Sequence, residues 1–157
     1  MADTKTKIRA NELYQTDFYS WTQEQARLLR ERRFDDLDLD NLVDEVASVG
    51  ASEKREIRRR LKVLIAHLLK WRFQPGLRGN SWRRTIRQQR DTIADIVETS
   101  PSLRSYVLQA IPAAYNGATV TAAEETGLAI GIFPAECPFD ADEILNPEFF
   151  PENHEFE

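Results

Sequence analysis

Residues 39–71, LDNLVDEVASVGASEKREIRRRLKVLIAHLLKW, carry the pattern that decides the fold. At 100° per residue, Leu42, Val46, Ile57, Leu61, Leu64, Leu68 and Trp71 fall on one side, which predicts one long amphipathic helix. The segment Ala47-Ser48-Val49-Gly50-Ala51-Ser52 interrupts it with small side chains and poor helix propensity, so it marks a kink, a break or a close helix crossing. A continuous helix is expected.

Further helices lie on both sides. Residues 1–16 read as a mobile arm, and Ser20 with Gln23, or Thr22 with Gln25, fits the capping box that opens a helix running to about Arg33. Gln74-Pro75-Gly76 stops the long helix. Ser81 can cap the next one, whose apolar side carries Trp82, Ile86, Ile93 and Val97. Ser100-Pro101 supplies a cap oxygen followed by proline at the first helical position. The helix it opens carries Leu103, Val107, Ala110, Ile111, Ala114, Ala118 and Ala122, with Pro112 as a kink and Gly127 as the stop. Beyond it, Phe133, Pro134, Pro138, Phe139, Phe149, Phe150 and Pro151 are too apolar for a free acidic tail, so residues 128–157 are expected to form an ordered, irregular strap. The predicted architecture is an all-α antiparallel bundle of about four main helices, one long, in a single domain over residues 1–157. Only 6 Gly and 7 Pro among 157 residues agree with a helical rather than a turn-rich β chain.

Charge is distributed in blocks. Residues 54–90 hold ten Arg and three Lys against Glu56 alone, a net of +12, whereas residues 91–157 carry −12 and residues 1–53 carry −5. A basic block of this kind binds polyanions unless the fold neutralises it with the acidic flank. No apolar run approaches a membrane span and the N-terminus lacks a signal core, so a soluble, cytoplasmic protein without a membrane partner is expected. The single cysteine, Cys137, excludes an internal disulfide.

Several motifs together resemble a known family. They are Asp17-Phe18-Tyr19-x-Trp21, Asn41-Leu42-x-x-Glu45 leading to Gly50, and His67-Leu68-Leu69-Lys70-Trp71-x-x-Gln74-Pro75. The series continues with Ser81-Trp82-x-x-Thr85-Ile86, Ser100-Pro101-Ser102-Leu103, Glu125-Thr126-Gly127 and Phe133-Pro134-x-x-Cys137-Pro138. In that order they are similar to the bacterial family catalogued as domain of unknown function 29, whose pattern has a second glutamate at the place of Asp44 and an acid at that of Ala47. The resemblance implies an α-helical bundle and no assigned activity.

Two groups of side chains carry candidate chemistry. Glu53, Arg60 and His67 lie on or beside the apolar stripe of the long helix, Arg90 lies near Ile86 on the next, and Glu125 shares the angle of Val107 on the last. These five are expected to meet inside as a paired ionic cluster, with Arg60, Arg90 and Glu125 as one network. The alternative is a polar pocket using Glu53, His67 and Glu125 as acid and base. The second group, Lys70, Trp71, Arg72, Arg78, Trp82, Arg83 and Arg84, interleaves bases with aromatics, the mixture that contacts phosphates and stacks on unpaired bases. Its alternative is a structural turn whose arginines pair with the acidic C-terminal region.

No metal or cofactor is expected. Position 64, three before His67, is leucine rather than glutamate, and the other histidine, His154, lies in the tail. Cys137 sits between Glu136 and Pro138, where negative charge disfavours the thiolate. Phosphate-binding glycine loops are absent. The sequence therefore points to a non-enzymatic binding or regulatory module acting through protein contacts, with a nucleic-acid or polyanion binder and a small acid–base enzyme as its rivals.

Overall fold

A computed structural model describes residues 4–153 and contains six α-helices and no strands among them. They are α1 (Thr4–Thr16), α2 (Phe18–Arg30), α3 (Leu39–Phe73), α4 (Asn80–Thr99), α5 (Arg104–Thr126) and α6 (Ala141–Leu145). The chain is thus all-α, as its periodicities predict. Contacts divide the chain into two compact units, Met1–Ser52 and Glu53–Glu157. The long helix α3 is continuous for 35 residues and runs through the division without a break at Gly50.

In the first unit, residues expected to form an arm are helical instead. Tyr14 explains this: its ring packs edge-on against Phe18 and Trp21, and its hydroxyl donates to Glu45 at 2.6 Å. The cap of α2 is Asp17, three residues before the expected serine, because the Asp17 carboxylate accepts from both the backbone N–H and the hydroxyl of Ser20. Trp21, Gln25, Leu28 and Leu37 form the small buried centre of this unit. The Trp21 indole N–H donates to Asp38 at 3.0 Å, and the Gln25 carbonyl accepts from the Asp38 backbone N–H at 2.9 Å.

The second unit holds the larger core. Ile57, Leu61, Leu64 and Leu68 of α3 are fully buried against Ile86 and Ile93 of α4 and Val107, Ala110, Ala114, Ala118 and Ala122 of α5. The alanines leave room for close helix packing. At Gly117 a Cβ would stand 3.2 Å from the Lys62 side chain, so the glycine makes room for that stem. Gly79, not Ser81, precedes α4, and its own cap lacks a side-chain bond. Likewise Ser100 does not cap α5. Pro101–Leu103 forms a 3-10 turn, and the Ser100 hydroxyl instead donates to Glu53 at 2.8 Å. Gly127 ends α5 in the left-handed region at φ 72°, the conformation for which glycine is suited.

The C-terminal strap packs on this core through Phe133, Phe139 and Ile144, all buried. Asp140 and Glu143 open α6 with a reciprocal capping box. The other end of α6 is closed by Arg90. Its guanidinium donates to the carbonyls of Ile144 at 2.8 Å, Phe149 at 2.9 Å, Glu143 at 3.1 Å and Pro147 at 3.5 Å. Five donors in a rigid fork can serve several carbonyls at once, which a lysine cannot. Replacing Arg90 with Ala should therefore leave these carbonyls without a donor and cost about 3 kcal/mol or more in urea unfolding. Arg90→Lys should recover only part of that loss, and equal stability of wild type and Arg90→Lys would contradict the clamp.

Candidate functional site

The inward-facing charges separate into local pairs. Arg60 bonds Glu56 one turn earlier at 2.7 Å and reaches Gln89 at 3.2 Å. Arg90 serves the strap carbonyls and no carboxylate, and burial lowers its pKa to about 10, which still leaves it charged at neutral pH. Glu125 pairs with Lys70 at 2.6 Å. The expected network of Arg60, Arg90 and Glu125 is thus replaced by three separate arrangements. Helical phase gives the side of a helix on which a residue lies but not its level against the neighbouring helices, which decides partners, and Glu125 is half exposed rather than interior.

Around Lys70 a small cluster does form. The Lys70 side chain is almost fully buried, whereas its partner Glu125 is half exposed. The ammonium lies 4.8 Å from the centre of the Trp82 ring, a cation–π contact. His67, one turn before Lys70, feels both charges. Burial holds its imidazole below the ordinary pKa, with the Lys70 charge acting in the same direction and Glu125 opposing. The His67 Nδ1 lies 2.9 Å from the Val63 carbonyl, so the neutral ring donates there. Glu53 is bonded to Ser100 and does not share a partner with His67 or Glu125. The acid–base constellation is therefore incomplete: His67 and Glu125 lie near Lys70, and Glu53 lies elsewhere along α3.

The basic, aromatic turn between α3 and α4 is assembled as a stack. The Arg78 guanidinium lies 5.2 Å from the Trp71 ring centre and Nε donates to the Trp71 carbonyl at 2.7 Å. Arg83 lies over both Trp71 and Phe150, at 5.7 and 5.6 Å, and these two rings are 4.7 Å apart. Trp71 is buried, so its face is occupied by arginine rather than open to a base. Arg72 sits over Phe73 at 5.9 Å, and Arg83 and Arg84 remain exposed. An open cleft of about 530 Å³ lies beside Trp71, Arg78 and Phe150, bounded by Pro151, Glu152 and Asn153. Sequence reasoning expected these arginines to meet acidic side chains; backbone carbonyls and ring faces take that role instead.

One feature had no signal in the motifs. On the first part of α3, Leu39, Val43, Val46 and Val49 are exposed by 61, 58, 67 and 69%. At 100° per residue Leu39, Val43 and Val46 repeat the angles of Ile57, Leu61 and Leu64, which lie five full turns further on and are wholly buried. A periodicity count treats both halves alike, so exposure could not be read from it. Among the described residues no three His, Cys, Asp or Glu side chains are grouped to hold an ion, and His154 lies outside those residues. Cys137 is half-buried, and burial, with Glu143 in support, pushes its thiol pKa up. No helix among the described residues is long and apolar enough to cross a membrane.

The position of His67 fixes a pH dependence. An unfolded chain takes up a proton near pH 6.5, whereas the folded ring resists protonation to lower pH, so stability falls as pH drops below about 6.5. The slope is at most about 1.4 kcal/mol per pH unit and levels off below the folded pKa. Urea midpoints compared between wild type and His67→Gln should converge or cross on acidification. Parallel pH profiles would contradict the neutral, buried ring.

No curated protein and no solved structure matches the chain. The model of the family described as domain of unknown function DUF29 matches residues 13–150, covering α2 to α6 and the end of α1. The chain belongs to that family.

Proposed function

We propose that this protein is a non-enzymatic helical binding module that acts through protein contacts. The observation that carries the reading is the uncovered face of Leu39, Val43, Val46 and Val49, whose exposure is high for aligned β-branched and leucine side chains. Contiguous exposed apolar patches of this kind mark interaction surfaces. Phe18, Tyr19 and Phe34 are also exposed in the first unit.

The rival readings have less support. Acid–base catalysis needs its groups within reach of one substrate atom, and Glu53, bonded to Ser100 and 14 residues before His67 on the same helix, is about 21 Å from the His67–Lys70–Glu125 cluster. Nucleic-acid binding needs accessible ring faces, and Trp71 is covered by Arg78 and Arg83. Exposed Arg83 and Arg84 keep a polyanion as the alternative that the experiment must address.

Purification of tagged protein from its native cells, followed by assay of both protein and nucleic acid in the eluate, tests the reading. A stoichiometric protein partner should accompany wild type and Arg83→Ala/Arg84→Ala, and fall at least about tenfold with Val43→Glu/Val46→Glu. Nucleic acid retained by wild type and lost with the arginine variant would overturn it.

A further inference from the structure

In the second unit, the basic turn and the strap together border a cleft suited to a compact anion. Arg78 lies over the Trp71 ring, and Arg83 lies over both Trp71 and Phe150. A guanidinium that lies over a ring keeps its N–H groups for another partner. Arg78 uses one donor, Nε, on the Trp71 carbonyl, and its Nη2 is buried with no acceptor among the described residues. The Arg83 guanidinium makes no hydrogen bond and no ion pair with any described residue. We infer that the cleft of about 530 Å³ beside these rings binds a phosphate monoester of a small molecule, with Arg78 and Arg83 donating to its phosphate oxygens. This goes beyond the protein-contact reading, which rests on the first unit.

Charge and size select this ligand. Arg90 also lies over Phe150, at 5.8 Å, so Arg78, Arg83 and Arg90 bring three positive charges to the ring pair. Glu152 is the one carboxylate among the residues that line the cleft, which leaves a net of +2. A phosphate monoester carries about −1.5 to −2 at neutral pH and matches that charge better than a carboxylate does. Burial lowers the pKa of Arg78 and of Arg90, and no carboxylate opposes the shift at either. Both guanidiniums remain charged, and a phosphate accepts bidentate hydrogen bonds from such planar forks. The volume falls within the ~300–1,000 Å³ of small-molecule sites, so room remains beyond the phosphate for a body set against Phe150 and Pro151. Glu152 repels the next phosphate of a continuing strand, which favours a compact ligand over a nucleic acid.

Titration of the full chain with phenyl phosphate at constant ionic strength, followed by NMR of arginine Nε–H and tryptophan indole N–H groups, tests the site. Wild type should show saturable shifts at Arg78, Arg83 and Trp71, and benzoate, a similar ring with a single charge, should bind at least about tenfold more weakly. Arg83→Gln should weaken phenyl phosphate on the order of tenfold or more, and Arg83→Lys by less, because lysine keeps the charge and loses the fork. Arg83 is exposed, so both variants should keep the wild-type helical circular dichroism. Glu152→Gln should tighten binding severalfold by removing the carboxylate at the cleft. Arg84→Gln, exposed and outside the cleft, should change it less than about twofold. No saturable shift at millimolar phenyl phosphate, equal weakening by Arg83→Gln and Arg84→Gln, or an oligothymidylate that binds more tightly than phenyl phosphate and tightens with length would overturn the inference. None of these results bears on the apolar face of the first unit, which the native purification reads separately.

Discussion

A straight α-helix repeats its angular positions every 18 residues, and α3 is long enough for one apolar stripe to serve two environments. With 35 residues α3 extends about 52 Å, whereas α4 and α5, of 20 and 23 residues, extend about 30 and 35 Å. The stripe is buried from Ile57 to Trp71, whereas Leu39, Val43, Val46 and Val49 are exposed and Leu42 is half-buried. Within the first unit the polar contacts Tyr14–Glu45 and Asn11–Asn41 engage a different side of the helix. The functional reading follows from the exposed apolar side chains of the first unit.

In the second unit, several arginines are held without a carboxylate. Arg90 is held by backbone carbonyls at the end of α6, and Arg78 and Arg83 by the faces of Trp71 and Phe150. Guanidinium suits these roles because it is planar, weakly hydrated and rich in donors. The ion pair Lys70–Glu125 does join the basic block to the acidic segment, at the edge of the core. A strap held through carbonyls leaves carboxylates such as Glu136, Asp140, Asp142 and Glu148 exposed while Phe133, Phe139 and Ile144 pack in the core.

Periodicity made the helices legible because burial on one face imposes it, and Gly127 and Gln74-Pro75 marked stops through backbone geometry alone. Caps were less legible. Asp17 competes with Ser20 and Thr22 for the same role, and the winner depends on where the preceding helix ends. The helix α1 escaped notice because Tyr14, rather than a repeating stripe, ties it down. For the candidate site, the sequence placed Arg90 in a network with Arg60 and Glu125, whereas backbone carbonyls hold it. Backbone carbonyls carry no side-chain signal, so a string of residue types cannot reveal that an arginine will bind them.

Amide hydrogen exchange along α3, measured in dilute protein by mass spectrometry, addresses the central claim most directly. Amides in a covered helix exchange only through large-scale opening, whereas those in a helix packed on one side exchange through local opening. Residues 57–71 should be the slowest in the chain, and residues 39–50 should exchange on the order of 100-fold faster or more. Uniformly slow exchange from Leu39 to Phe73 would contradict the division of this helix into a buried half and an uncovered one.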